Sequence, residues 1–263
     1  MHGCFGRIVQ ATIPPALPLP MPTTYGPLHT ILFDLDGVLV DVSRSYRRAI
    51  AETVGHFTGS PPDAGQIQAY KDRGGFNDDW HLSHRMIADA GHEVPLAEVV
   101  AAFQERYRGE DFDGYIASEP AMARTSMLTA LRDAYGPLGM VTGRPEAEAR
   151  FTLDRFGWTR LFGSVVAMEQ QDGKGKPDPY GLVLCLQELG RSADGAAYVG
   201  DTGDDQRAAL AAGCFPIGVV PPGLDYLRHA DTLARAGAAV VLSTPGDLPS
   251  LASTLGSNPD GLG

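Results

Sequence analysis

Asp34 and Asp36 stand two residues apart in FDLDGVLVD (33–41), where an apolar run ends in Asp-Gly. If that run is a strand, its period of two aims both carboxylates to one side, at the carboxyl end where open α/β sheets bind ligands. Two such carboxylates repel unless one is protonated or a cation intervenes. Gly37 permits a tight turn directly after them. D-x-D-G taken alone is equally well an acidic turn. Three further segments bear on the choice. Thr142 closes a second apolar run in MVTGRPE. It offers a hydroxyl followed by free backbone N–H groups, which suits a phosphate oxygen as well as a helix cap. Lys176 lies in GKGKPDPYG, where Pro177 and Pro179 restrict the chain. A fixed ammonium there would neutralise a carboxylate or a phosphate, although it also reads as a solvated loop lysine, and Lys174 competes for the role. YVGDTGDD (198–205) ends a further run at Asp201, with Asp204 and Asp205 in the next turn. These are dipole-compatible caps, or carboxylates for a hard cation such as Mg²⁺.

The elements that must position these groups follow from the hydrophobic pattern. Strand-like runs occur at ILFDL (31–35), GMVT (ending at Thr142), SVVAM (164–168), AAYVGD (ending at Asp201), FPIGVV (215–220) and AAVVL (238–242). Helical patterns follow, beginning near Pro145 and covering about 204–212 and 223–236. Such alternation implies a parallel sheet covered on both faces. Between the first strand and the rest, from Arg44 onward, Tyr46, Ala49, Ile50, Thr53 and Phe57 recur at helical spacing. The stretch 63–110 has no strand rhythm. The expected organisation is an α/β core of 30–44 plus 122–263, a helical insert over 45–121, and a loose proline-rich extension over 1–29. The tail after Leu255 reads as frayed.

A net charge of −11 disfavours nucleic acid and anionic membranes as partners. It leaves an anionic small molecule open, because a bound cation reverses the local field. Three cysteines (Cys4, Cys185, Cys214) without C-x-x-C argue against a disulfide framework or structural zinc, and favour a reducing, cytoplasmic setting. Cys185 and Cys214 sit beside apolar runs and read as packing residues. Prolines break the apolar part of the first thirty residues, and no stretch reaches the ~18 apolar residues needed to span a bilayer.

Taken in order, D-x-D-G-x-L-V-D, a strand ending in T-G-R, K-P-D-P and V-G-D-T-x-x-D resemble the haloacid dehalogenase superfamily over residues 30 to about 245. The position of the helical insert is similar to that in the phosphoglycolate phosphatase and β-phosphoglucomutase branch. The resemblance implies a Rossmann-like core with a small helical cap. It also implies a Mg²⁺-dependent phosphomonoester hydrolase with Asp34 as nucleophile, passing through an aspartyl-phosphate. Asp36 would be the general acid and base. Thr142 and the backbone N–H of Gly143 would hold phosphoryl oxygens, and Lys176 would orient Asp34. Mg²⁺ would sit on Asp34, the backbone carbonyl of Asp36 and Asp201. Asp205 would order the metal's waters or Lys176, with Asp204 as the alternative. Dehalogenases and the phosphonate-cleaving branch lack an acid at the position of Asp36, whereas phosphosugar mutases keep it and remain an alternative. A non-catalytic module on the same fold is the alternative from another class.

Within the insert, KDRGGFNDDWHLSH (71–84) would close over a leaving group, with Arg73 and Asn77 contacting substrate. The competing reading is that Asp78 and Asp79 cap a helix starting near Trp80. His81 and His84, at i and i+3, read as surface or packing residues. Arg144 is expected to bind substrate at the rim, and Arg44 and Tyr46 lie at the insert's hinge. The implied ligand is a small phosphorylated metabolite: phosphoglycolate, a sugar phosphate or an amino-alcohol phosphate. GGFNDDW is similar to a branch placed near histidine biosynthesis, which adds histidinol phosphate. The expected assembly is a monomer or homodimer.

Overall fold

Among the described residues, six short strands form one sheet in the order β3-β2-β1-β4-β5-β6, with every neighbouring pair parallel. They are β1 (Thr30–Phe33), β2 (Leu138–Val141), β3 (Phe162–Val166), β4 (Ala196–Gly200), β5 (Phe215–Val219) and β6 (Val240–Leu242). The computed structural model describes residues 27–73 and 78–257. Most of the expected N-terminal extension, residues 1–26, lies outside them. The rest of that segment joins the core, where the His29 N–H donates to Gly195 O at 2.8 Å.

Strand alternation splits the apolar residues between two faces. Ile31 and Phe33 of β1 and Ala197 and Val199 of β4 face a cluster with Leu128, Leu131, Leu153 and Leu248. These come from α5 (Thr125–Tyr135), α6 (Glu146–Arg155) and α10 (Leu248–Ser257). Leu32, Val141 and Tyr198 face the other cluster. There they meet Leu182, Cys185 and Leu186 of α7 (Tyr180–Leu189) and Ala208 and Ala209 of α8 (Gly203–Ala212). Cys185 and Cys214 are buried free thiols; Cys4 lies outside the described residues. A further helix, α9 (Tyr226–Arg235), packs on β5 and β6.

The chain between β1 and α5 forms α1 (Tyr46–Thr58), α2 (Ala64–Asp72), α3 (Asp79–Asp89) and α4 (Leu96–Tyr107). These helices enclose their own apolar cluster, including Ile50, Val54, Leu82, Ile87, Val99 and Phe103. Local chemistry sets their starts. Asp63 and Gln66 form a reciprocal capping box, and the Asp78 carboxylate accepts from the N–H groups of Trp80 and His81 at 2.8 and 3.2 Å.

Element ends differ from the sequence pattern, and two of them bear on the site. β3 begins at Phe162 and stops at Val166, where SVVAM suggests 164–168. Its register opposite β2 starts at Leu138↔Phe162, and Ala167 and Met168 turn into a 3₁₀ helix, with Ala167 N–H donating to Gln170 Oε1 at 3.0 Å. β1 stops one residue before Asp34, because Gly37, at φ +69°, starts a turn whose N–H donates to Val40 O at 2.9 Å. The Asp34 N–H still donates to Val199 O at 2.9 Å, and the two carboxylates take different partners, Asp34 with Lys176 and Asp36 with Arg144.

Candidate active site

β1 pairs with β2 on one side and β4 on the other, so the chain ends leaving these strands lie side by side. That register brings Asp34, Thr142 and Asp201 to the carboxyl end of the sheet, and Lys176 arrives from the loop before α7. Lys176 Nζ lies 3.0 Å from Asp34 Oδ1 and 2.7 Å from Asp205 Oδ1. It also donates to the Tyr198 hydroxyl at 3.1 Å. Lys174 stands elsewhere, 4.6 Å from the centroid of the Tyr180 ring.

Carboxylate oxygens of Asp34, Asp201 and Asp205 lie within 4.8 Å of one another. Asp205 serves two purposes. Its backbone N–H and its Oδ2 close a capping box with Thr202 at the start of α8, while Oδ1 faces Lys176. Asp204 pairs with Arg207 at 2.5 Å. The tight spacing depends on Gly37, since a Cβ there would strike the Asp201 carboxylate. Gly37→Ala combines that clash with a left-handed backbone, and should lower stability by about 2 kcal/mol or more. A urea melt with an unchanged midpoint would contradict this reading.

The electrostatics are uncompensated. Burial, then the neighbouring carboxylates, push the Asp34 and Asp201 carboxyls upward, with Lys176 opposing. Burial also acts on Asp205, but the Lys176 ammonium and the Thr202 hydrogen bonds outweigh it and hold Asp205 below its usual value. With all three carboxylates ionised, one ammonium would leave the charge that one divalent cation balances. The donors are all oxygens, as hard cations prefer. The residues present therefore fit a divalent metal.

Thr142 is buried, and its Oγ1 accepts from Arg144 N–H at 3.2 Å, which leaves the hydroxyl hydrogen for another acceptor. Gly143 is exposed, with open space beside its Cα. The Asp36 carboxylate is turned to the fully buried Arg144 at 2.5 Å. Arg73 is exposed, with its guanidinium 4.5 Å from the Tyr70 ring centroid. Asn77 lies outside the described residues. His81 pairs with Asp78, and His84 Nε2 meets Val94 O at 2.9 Å, so the two imidazoles do not converge.

The profile of the haloacid dehalogenase-like hydrolases matches residues 28–213. The chain belongs to that family. A phosphoglycolate phosphatase of Xylella fastidiosa strain 9a5c is 30% identical over 200 residues, covering 75% of this chain and 82% of the relative. An imidazoleglycerol-phosphate dehydratase of Phytophthora nicotianae is 36% identical over 235 residues, covering 84% of this chain. The chain spans only about half of that longer relative, 51%. A HAD family hydrolase of Deinococcus radiodurans R1, solved with bound phosphate and sodium, superposes with a TM-score of 0.68 at 25% identity, covering 88% and 97% of the two chains. Among the described residues, no helix of this family member is long and apolar enough to cross a membrane.

Several groups around this centre carry no motif of their own in the sequence. Tyr198 links Lys176 to β2 by donating toward Val141 O at 3.3 Å or Asp205 Oδ1 at 3.1 Å. Glu148 of α6 is buried against the insert, accepting from Gln104 Nε2 at 2.7 Å. Burial pushes its carboxyl up to about 7. The folded protein therefore favours neutral Glu148. That contribution is complete below the unfolded value near 4.5 and is lost as pH rises to about 7. Glu148→Gln should raise stability at pH 8 by on the order of 2 kcal/mol and leave it nearly unchanged at pH 4. Thermal melts at both pH values test this, and an equal shift at both would contradict it.

Proposed function

We propose that the chain is a Mg²⁺-dependent phosphomonoester hydrolase acting on a small phosphorylated metabolite. The observation that carries this reading is the Asp34 carboxylate, fixed 3.0 Å from Lys176 and grouped with Asp201 and Asp205 at one end of the sheet. Asp34 attacks phosphorus as the bond to the leaving oxygen breaks, giving an aspartyl-phosphate. Asp36 delivers a proton to that oxygen, then takes one from the water that attacks phosphorus and releases Asp34. Thr142 and the Gly143 N–H hold the phosphoryl oxygens, and Lys176 offsets the charge that builds up beside Asp34. Asp34, Asp201 and the backbone carbonyl of Asp36 would hold Mg²⁺, with Asp205 fixing Lys176; the ion would supply Lewis-acid neutralisation of the phosphoryl charge. The helical insert acts as a cap that excludes water, and Arg73 contacts the leaving group from it.

Two substrates lead the panel. Phosphoglycolate follows from the named phosphatase relative. Histidinol phosphate follows because the longer relative is named for an imidazole-bearing phosphate ester. The test is phosphate release from these two compounds and hexose phosphates, with Mg²⁺ and with EDTA. Mg²⁺-dependent turnover of at least one compound is expected. No release from any of them, with total ester phosphate conserved, would overturn the reading.

A further inference from the structure

Arg144 has the form of an internal strut. Its Nε and Nη2 donate to the same oxygen, Asp36 Oδ1, at 2.7 and 2.5 Å. Nη2 also donates to Glu119 Oε2 at 2.8 Å, and Nη1 to Thr152 Oγ1 at 3.1 Å. The guanidinium carbon lies 5.3 and 5.8 Å from the ring centroids of Tyr46 and Tyr107. The Arg144 side chain has no exposed surface, while that of Asp36 keeps 28%. The carboxylate faces the opening and the arginine stands behind it.

Glu119 is the other anchor. It is fully buried, and its Oε1 accepts from Ser45 Oγ at 2.5 Å and Tyr107 Oη at 3.1 Å. Ser45 immediately precedes α1, and Glu119 follows the insert's last helical turn at Tyr115–Ser118. Both strands of chain that join insert to core are therefore tied to the same guanidinium.

We propose that Arg144 is a positioning residue for the acid–base carboxylate Asp36, and that Glu119 sets Arg144 from the two linkers of the helical insert. The inference rests on the phosphatase reading and on the role given there to Asp36. Three features carry it. The arginine's donors are spent inside the protein, so it reaches an anionic substrate only through Asp36. Its grip is confined to Oδ1, which leaves Oδ2 to carry the proton. That proton passes from Oδ2 to the leaving oxygen as the phosphorus–oxygen bond breaks, and Asp36 is recharged by the attacking water. Small errors in aim cost rate steeply, and long ionic side chains hold aim only when their own partners are fixed. Glu119, Thr152 and the two tyrosines supply that fixation.

The experiment compares kcat/KM for two monoesters, an alkyl phosphate and p-nitrophenyl phosphate, in wild type, Glu119→Gln and Arg144→Met. An alkoxide needs a proton as it leaves, whereas p-nitrophenolate does not, and general acid catalysis is worth about 10²–10⁴-fold. Both variants should lower the alkyl-to-aryl ratio by about tenfold or more. Arg144→Lys should recover part of the ratio, since one ammonium replaces a two-donor grip. If Arg144→Met does not fold, Glu119→Gln carries the test. Equal losses on both esters, or no loss on either, would overturn the inference while the phosphatase reading stands. A wild-type protein that hydrolyses neither ester would overturn both.

Discussion

Asp34→Asn should lower phosphate release by on the order of 10⁴-fold or more while leaving the protein folded and, without metal, more stable. The activity loss follows from replacing the attacking carboxylate by an amide. The stability gain follows from the crowding of Asp34, Asp201 and Asp205 within 4.8 Å with one lysine among them. Removing one negative charge relieves like-charge repulsion in a poorly solvated place, and Lys176 keeps Asp205 at 2.7 Å. A gain of about 1 kcal/mol in EDTA is expected, shrinking or reversing when Mg²⁺ is added, because the wild-type group then has its counter-charge. Phosphate release and paired melts read both parts. Turnover at more than a hundredth of wild type would sink the nucleophile assignment.

Lys176→Met should do the opposite to stability. It strips the group of its ammonium and leaves buried Asp34 and Asp205 without that counter-charge. Breaking a buried ion pair from one side costs about 3–5 kcal/mol. Loss of charge stabilisation during phosphoryl transfer should also lower kcat by about 10²–10³-fold. The two effects separate in a urea titration, where Mg²⁺ should restore much of the stability and little of the rate. If the variant matches wild-type stability in EDTA, the electrostatic account of the group is wrong.

The residues at stake in these two variants are legible in the sequence itself. Asp34, Lys176, Asp201 and Asp205 each stand at a strand end, in a proline-bounded loop or at a helix start, and it is the order of these segments along the chain that singles them out. The alternating pattern likewise yields the parallel sheet, because buried strands and amphipathic helices leave different periods in the sequence. Glu119 and Glu148 leave no such trace. Glu119 stands in ASEPAMA, which reads as an open linker, and Glu148 shares EAEAR with the exposed-facing Glu146. Their burial comes from Arg144 and Gln104, partners delivered by distant segments. The same holds for Arg144: its neighbour Thr142 marks a strand end, but nothing nearby says whether the guanidinium points out to the rim or in towards Asp36. Tyr198 looks like any aromatic strand residue until Lys176 is placed beneath its hydroxyl.

The strand order has a consequence for how the chain reaches its native state. β1 lies between β2 and β4, yet it precedes both in the chain, with the whole helical insert intervening. Ile31, Leu32 and Phe33 therefore wait, with both faces apolar and both edges unpaired, until far later segments arrive. Such non-local pairing slows folding and exposes aggregation-prone surface meanwhile. The helices of the insert, joined by short connections around their own apolar cluster, can collapse sooner. Newly made chains should thus pass through a stage with an ordered helical insert and an unformed sheet, and recovery of activity after dilution from urea should lag behind recovery of helix.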